Sequence, residues 1–179
     1  MSHKKIAILA TNGFEESELK SPMESLQNQG WQVDIISPEA GTIKAWADKD
    51  WGEEYKVDKT LNEVSARDYD ALVLPGGVLN PDKLRVNDEA ILFVQDFFGQ
   101  QKPVAAICHG PQTMINAEVV RGRRMTSVKA ISQDLINAGA EWVDEEVVVD
   151  HGLVTSRTPK DLPAFIKKMI EEFSEGTHN

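Results

Sequence analysis

Short runs of consecutive apolar residues recur along this sequence, each as long as a β-strand and each closed by a turn. They cover residues 5–10, 71–74 and 103–107. Consecutive apolar positions are typical of strands covered on both faces, as strands are in a parallel sheet. Segments with a helical spacing of apolar residues follow the strand-length runs, and the clearest of them is residues 159–173. This alternation predicts an α/β fold, a doubly wound sandwich whose central sheet is mostly parallel.

The same patterns predict the remaining elements. Further strands are expected at 31–37, 42–45, 55–58, 146–149 and 153–156, and helices at 14–29, 87–98, 131–138 and from 159 onward. Residues 46–51 are expected to form a loop. Pro22 is expected to kink or divide the first helix, and Thr158 with Asp161 is expected to form a capping box at the last one.

Length and charge limit the classes of protein to which the chain can belong. Its 179 residues are expected to form one domain, 1–179, with a full core. The formal net charge of −10 argues against nucleic acid or an anionic membrane as the main partner. A single cysteine rules out an intrachain disulfide and fits a reducing compartment. With no signal-peptide pattern and no membrane-length apolar run, a cytoplasmic protein is expected.

Cys108 ends one of the apolar runs and is followed by His109, Gly110 and Pro111. Gly110 permits unusual backbone angles, and Pro111 suits the first turn of a helix. The stretch therefore predicts a thiol on a sharp strand-to-helix turn, as in the nucleophile elbow of hydrolases. The alternative is that Cys108 is an inert small residue of the core.

A reactive Cys108 requires a stabilised thiolate. Lowering a thiol pKa from about 8.5 to about 6 takes roughly 3.4 kcal/mol. A helix N-terminus supplies at most about 2 kcal/mol. Hydrogen-bond donors from other parts of the chain are therefore needed, and a depressed thiol pKa is expected if they are present.

The ends of two further predicted strands carry the other candidate groups. Glu15 follows the first strand, and Gly76 and Gly77 follow the strand at 71–74. Ligands of doubly wound folds bind beyond the carboxyl ends of the strands, so these residues are expected to lie near Cys108. The backbone N–H groups of Gly76 and Gly77 could form an oxyanion site, although a plain tight turn would explain two glycines equally well.

No motif for a metal or a cofactor is present. The histidines are scattered and lack zinc-site spacing. The sequence has neither a phosphate-binding P-loop nor a dinucleotide-binding fingerprint. We therefore expect no metal and no cofactor.

Four blocks of the sequence together resemble the PfpI family of the class I glutamine amidotransferase-like superfamily, to which the Parkinsonism-associated deglycase is related. The blocks are Ala106–Pro111, Leu74–Gly77, Phe14–Glu18 and Asn137–Ala140. The resemblance extends from Ile6 to Phe173. It implies a flavodoxin-like sandwich that assembles as a homodimer or as a larger assembly of dimers.

The resemblance also implies roles for individual residues. Cys108 matches the nucleophile, His109 its neighbour, and Glu15 the acid that hydrogen-bonds the thiol. The acid that orients the histidine comes from the neighbouring subunit in this family, and Asp82 is the candidate by position. The loop before Asp82 is one residue longer than in some members of the family.

Three functions of different classes remain open. The first, which the resemblance favours, is a stress-protection enzyme that acts on small carbonyl compounds or on glycated amines and thiols, as a deglycase or a glyoxalase. In it the Cys108 thiolate adds to an aldehyde, Glu15 or His109 carries the proton, and water releases a hydroxy acid. The second is an intracellular cysteine peptidase. The third is a non-enzymatic sensor of oxidation at Cys108.

Overall fold

A computed structural model describes residues 3–177 of the chain. Within this range the strands are β1 (Lys5–Leu9), β2 (Phe14–Glu15), β3 (Gln32–Ser37), β4 (Thr42–Ala47), β5 (Asp50–Lys56), β6 (Lys59–Thr60), β7 (Ala71–Leu74), β8 (Val104–Ile107), β9 (Arg124–Met125), β10 (Glu141–Trp142), β11 (Val148–Asp150) and β12 (Leu153–Ser156). The α-helices are α1 (Glu16–Asn28), α2 (Leu79–Leu84), α3 (Asp88–Gly99), α4 (Pro111–Asn116), α5 (Ser132–Asn137) and α6 (Leu162–Glu175). Short 3₁₀ turns lie at Leu61–Glu63, Ala66–Asp68, Lys129–Ile131 and Pro159–Asp161.

The central sheet of the described chain has seven strands in the order β11-β12-β8-β7-β1-β3-β6. Its neighbouring strands run parallel except for β11 and β12, which form an antiparallel hairpin. The carboxyl ends of β1, β7, β8 and β12 therefore meet at one edge of the sheet. The predicted α/β class and the mostly parallel sheet are confirmed.

Helices cover both faces of this sheet. Ile6 and Ile8 of β1 face a layer that contains α1 and α6, where Phe165 is fully buried. Ala7 and Leu9 face the opposite layer, which contains α3, α4 and α5. Because successive side chains of a strand point to opposite faces, the apolar runs seen in the sequence fill both layers.

The first helix begins later than predicted and is not divided. Phe14 and Glu15 form β2, which pairs with Ala45 and Trp46 of β4. The helix α1 then runs continuously from Glu16 to Asn28 through Pro22. A proline inside a helix removes one backbone hydrogen bond, but Pro22 is buried on the same face as the core residues Leu19 and Leu26. That packing holds the helix in one piece.

The predicted loop at 46–51 is mostly β-hairpin. β4 extends to Ala47 and β5 begins at Asp50, so that the turn consists of Asp48 and Lys49, both at positive φ. Trp46 lies opposite Trp51 in the register, and their rings meet edge to face with centroids 5.4 Å apart. Such a cross-strand aromatic pair stabilises a hairpin through contacts that a local sequence pattern does not predict.

The last helix also differs at its beginning. The predicted capping box between Thr158 and Asp161 is replaced by a 3₁₀ turn, and α6 begins at Leu162. The Asp161 carboxylate instead accepts hydrogen bonds from the backbone N–H and the guanidinium of Arg157, at 2.9–3.1 Å. Charge-assisted bonds of this kind are stronger than a neutral cap.

Candidate active site

Cys108 lies at a strained position directly after β8, with φ of +62°. A residue with a Cβ adopts this left-handed conformation only where its surroundings enforce it. Here the Cys108 N–H donates to the Ser156 carbonyl, and its own carbonyl accepts from the Val128 N–H, each at 3.1 Å. The predicted sharp strand-to-helix turn is therefore present. Cys108 is half-buried at the carboxyl edge of the sheet.

Gly110 serves this turn in a different way from the one predicted. Its φ of −49° is ordinary for a helix, so it supplies no unusual backbone angle. A Cβ at this position would lie only 2.5 Å from the Leu74 carbonyl oxygen. Glycine is needed here because two strand ends approach each other closely.

The carboxyl group beside the thiol belongs to Glu18, which corrects the assignment of Glu15 as the acid that hydrogen-bonds Cys108. Glu18 is fully buried, and its Oε1 accepts the Gly76 N–H at 2.9 Å. Its other oxygen, Oε2, is buried without a nitrogen or oxygen donor in the described chain. The Cys108 thiol lies beside the Glu18 carboxyl and is its side-chain hydrogen-bond partner.

Glu15 lies outside this buried pair. Its backbone N–H donates to the Gly76 carbonyl at 3.3 Å, and its carboxylate accepts from the Ser17 hydroxyl at 3.4 Å. Burial raises the pKa of Glu15. Glu18 occupies the position beside the thiol that was predicted for Glu15. The reason is that β2 keeps Glu15 extended, so that Glu18, in the first turn of α1, points inward.

The Gly76–Gly77 turn contributes backbone donors, but only one of them faces the sulfur. The Gly76 N–H is occupied by Glu18, whereas the N–H groups of Gly77 and His109 point at the Cys108 sulfur and act to lower its pKa. A Cβ at Gly76 would lie 2.6 Å from Glu18 Oε1 and 2.7 Å from the Cys108 Cβ. The turn is thus packed directly against the thiol.

Asn80 holds this turn in place, and the sequence did not reveal it. The side chain is 1% exposed, and its Nδ2 donates to the carbonyls of Pro75 and Gly76 at 3.1 Å. Its Oδ1 accepts the Thr11 N–H at 2.8 Å, which ties the end of β1 to the turn. A single polar residue in a short helix carries no local signal of such a role.

A signal for Glu18 does exist in the sequence. Its helix buries Glu18, Leu19, Pro22 and Leu26, which lie on one face at helical spacing. A carboxylate on the apolar stripe of a helix is costly to bury unless it is hydrogen-bonded and paired, or protonated, so a glutamate at such a position indicates a specific partner in the core. The place of Glu18 within that apolar stripe distinguishes it from Glu15 and Glu16 as the buried carboxyl group. The presence of several acidic residues near the start of the helix does not make this distinction.

The thiol and the carboxyl both resist ionisation in this chain. Burial, with a smaller contribution from the nearby Glu18 charge, raises the pKa of Cys108 to about 12, and burial raises the pKa of Glu18 to about 8. The depressed thiol pKa expected from the sequence is therefore not what the single chain provides. The helix after Cys108 has only six residues, so its dipole offers little compensation.

His109 places an imidazole nitrogen against the thiol, with Nδ1 3.3 Å from Sγ. Desolvation lowers the pKa of His109, so the ring is neutral at pH 7. A neutral imidazole can accept a proton from the thiol. Asp82, the predicted partner of His109, is exposed on α2 of the same chain, and no carboxylate among the described residues raises the pKa of the ring.

Between His3 and Thr177, no three His, Cys, Asp or Glu side chains come together as potential metal ligands. No helix of that range is long and apolar enough to cross a bilayer.

Comparison with known proteins identifies relatives of the whole chain. The model of the DJ-1/PfpI family matches residues 4–172. Protein/nucleic acid deglycase 2 of Escherichia coli (strain K12) is 48% identical over 169 residues, which are 93% of this chain and 96% of the relative. Deglycase PfpI of Pyrococcus furiosus is 45% identical over 167 residues, which are 93% of this chain and 98% of the relative.

A solved structure gives the same result. A two-domain protein of Anabaena variabilis, with DJ-1/ThiJ/PfpI-like and ferritin-like domains, matches with a TM-score of 0.90 and 38% identity. The match covers 96% of this chain and 48% of that longer one. With its sequence and its fold matched over nearly the whole length, the chain belongs to the DJ-1/PfpI family.

Proposed function

We propose that this chain is a deglycase-type enzyme that uses Cys108 to remove methylglyoxal or glyoxal from modified amines and thiols, with glyoxalase-type hydrolysis of the free aldehydes as the same chemistry. The observation that carries the proposal is the buried, protonated Glu18 beside a thiol on a strained turn. Relatives named as deglycases, at 45–48% identity, support the reaction type. The chemistry requires water and no cofactor.

The first step uses two groups in their neutral forms. Cys108 gives its proton to His109 Nδ1, which lies 3.3 Å from the sulfur, and the sulfur attacks the aldehyde carbon. Glu18, which is mostly protonated at pH 7 because its pKa is raised to about 8, gives its proton to the carbonyl oxygen. The product is a hemithioacetal on Cys108. With a glycated amine, the C–S bond forms as the C–N bond breaks, and Glu18 gives its proton to the leaving amine instead of to a carbonyl oxygen.

The second step moves hydrogen within the bound fragment. Glu18, now a carboxylate, takes the proton from the former aldehyde carbon, while His109 gives its proton to the adjacent carbonyl oxygen. Glu18 then returns the carbon-bound proton to that adjacent carbon and takes the hydroxyl proton of the first carbon, so that both side chains regain their starting forms. The electron pair passes through an enediol, so one carbon is oxidised and its neighbour is reduced. A thioester of a hydroxy acid results, and water hydrolyses it to the free hydroxy acid and the Cys108 thiol. Methylglyoxal and water thus become lactic acid with all atoms balanced.

A homodimer is part of the proposal. The imidazolium formed at His109 has no carboxylate partner within the described chain, and Asp82 is exposed on α2 at the same edge of the sheet. Asp82 of a second copy would hydrogen-bond the charged ring and stabilise it. The active site would then be complete only in the assembly.

Three substrates and three variants test the proposal. We would incubate the protein with methylglyoxal, a glycated peptide and the same peptide unmodified. We expect the first two to be consumed, no turnover with Cys108→Ala, and a loss of at least about 10²-fold with Glu18→Gln. Glu24→Gln, which changes an exposed carboxylate on the same helix, is the control and should retain turnover. Cleavage of the unmodified peptide by a Cys108-dependent route would establish a peptidase instead.

A further inference from the structure

Cys108 differs from the other non-glycine residues that have a positive φ. Five more such residues occur between positions 3 and 177, and all five are exposed on the protein surface: Asp48, Lys49, Gln101, Glu118 and His151. Cys108 has φ of +62° although it is half-buried and packed against the core. A strained conformation inside a fold persists only where neighbouring groups hold it. The position of the thiol thus depends on the groups that hold this turn.

Two segments far from Cys108 in the chain hold its backbone. The Cys108 N–H donates to the Ser156 carbonyl at the end of β12, and the Cys108 carbonyl accepts from the Val128 N–H, both at 3.1 Å. β12 is a strand of the central sheet and pairs with β8, so its end is fixed. Residues 126–128, in contrast, belong to no helix and no strand. The position of this 126–128 segment therefore depends on side-chain contacts.

Thr155 ties the 126–128 segment to β12. Its Oγ1 accepts the Thr126 N–H at 2.9 Å, and both residues are fully buried. Ser127, which is also fully buried, provides a second anchor. Its hydroxyl donates to the Val128 carbonyl at 2.8 Å and accepts the Trp142 Nε1–H at 3.0 Å. Buried polar groups are costly unless they are hydrogen-bonded, and these bonds fix the segment next to the end of β12.

We propose that Thr155 positions the nucleophile. By holding the 126–128 segment against β12, it fixes the separation of the two backbone groups that keep Cys108 in its strained conformation. Thr155 acts through Val128 and Ser156 and not on the sulfur itself. The inference deepens the proposed function and rests on its assignment of Cys108 as the nucleophile.

Loss of the Thr155 bond should both expose the thiol and misplace it. With the segment released, Cys108 can relax to a negative φ, and its sulfur moves toward water and away from His109 Nδ1, which is 3.3 Å distant in the intact turn. Burial is the main cause of the raised pKa of Cys108, so a thiol in contact with water should titrate nearer its ordinary value of about 8.5. A displacement of about 1 Å between reacting groups can cost about 10²-fold in rate. The expected signature is a thiol that ionises more easily and yet converts less substrate.

Thr155→Val tests the inference, because valine has the shape of threonine and lacks the acceptor oxygen. We expect kcat for methylglyoxal to fall by about 10- to 100-fold with little change in KM. Cys108 is the only cysteine, so alkylation of the folded protein by iodoacetamide between pH 7 and pH 10 reports its ionisation. The alkylation profile should shift toward a midpoint of about 8.5. Thr155→Ser, which keeps the hydroxyl, should retain the wild-type kcat and alkylation profile.

Two control variants separate positioning from a general loss of stability. Tyr69→Phe removes another buried hydroxyl, which donates to Asp34 at 2.7 Å at the amino end of β7, away from the site. It should lower the urea midpoint and leave kcat and alkylation unchanged. Thr126→Val removes a buried hydroxyl that has no hydrogen-bond partner in the described chain and keeps the N–H that Thr155 binds. It should retain the wild-type kcat and alkylation profile.

A folded Thr155→Val protein that keeps either the wild-type kcat or the wild-type alkylation profile would overturn the inference. The same changes in Tyr69→Phe as in Thr155→Val would also overturn it, because they would follow from lost stability alone. If Thr155→Val does not fold, Ser127→Ala, which removes the second anchor of the segment, must show the same signature. Wild-type behaviour of a folded Ser127→Ala protein would then refute the inference.

The alkylation measurement separates this inference from the proposed function, because it requires no turnover. If the wild type consumes no methylglyoxal, the deglycase proposal fails, and a shifted alkylation profile in Thr155→Val still supports the positioning of Cys108. Turnover by the wild type together with unchanged kcat and alkylation in Thr155→Val would leave the deglycase proposal standing and exclude the positioning role.

Discussion

Replacing Glu18 with glutamine should make the protein more stable at alkaline pH, relative to the wild type, than at acid pH. The substitution keeps the acceptor oxygen for the Gly76 N–H and removes the ionisable group. In the folded chain, burial raises the pKa of Glu18 from 4.5 to about 8. The folded state thus holds its proton across a range in which the unfolded chain has already released it.

The sign of the effect follows from this difference in bound protons. Between about pH 4.5 and pH 8 the folded state binds more protons than the unfolded state, so the free energy of unfolding falls as pH rises. One pH unit is worth about 1.36 kcal/mol for a fully displaced titration. Between pH 5.5 and pH 8.5 the wild type should lose about 3 kcal/mol that the Glu18→Gln variant keeps.

Urea unfolding of both proteins at pH 5.5, 7.0 and 8.5 measures this difference. All measurements use one protein concentration, because subunit association would also change the apparent stability. Other titrating groups, including His109, are present in both proteins and cancel in the comparison. Glu24→Gln, on the exposed face of the same helix, should show no such pH dependence. A difference between Glu18→Gln and wild type that is constant across the three pH values would refute the buried, protonated state of Glu18.

Two further predictions concern the frame of the site and its assembly. Asn80→Ala leaves the Thr11 N–H and the carbonyls of Pro75 and Gly76 without their partner. We expect the free energy of unfolding, measured in urea, to fall by about 3 kcal/mol and kcat for methylglyoxal to decrease. An unchanged kcat would contradict a positioning role for Asn80. Mixing the inactive Cys108→Ala protein with the Asp82→Ala protein should restore activity, because each mixed dimer contains one site with both defects and one intact site. A mixture that stays inactive after proven subunit exchange would exclude the shared site.

Much of the fold could be predicted from the sequence because its main determinants are local. The runs at 5–10, 71–74 and 103–107 are apolar at consecutive positions, and each becomes a strand buried on both faces. The turn at Cys108 could be placed for a similar reason, since a strand-length run, a Gly-Pro pair and the start of a helix are adjacent in the chain. These features depend on neighbouring residues alone.

The parts that could not be predicted depend on residues far apart in the chain. β2 exists because Phe14 and Glu15 pair with β4, about 30 positions later, and this pairing decides that Glu18 rather than Glu15 points at the thiol. Asn80 acts through Thr11, 69 positions away. The direction of the Cys108 pKa shift is set by how completely the fold removes water from the sulfur. None of these contacts has a local pattern.

The neutral state of the site is consistent with the chemistry that we propose. A thiolate formed in advance would be held by positive charge, and the same charge would reduce its reactivity as a nucleophile. Here the thiol and the imidazole are neutral at pH 7, and the carboxyl is mostly protonated, because of the directions and values of their pKa shifts. Charge then develops only as the aldehyde arrives, with an acceptor 3.3 Å from the sulfur and a protonated carboxyl ready for the carbonyl oxygen. Burial keeps both groups in these forms, so the same desolvation that raises the thiol pKa also makes Glu18 an acid at neutral pH.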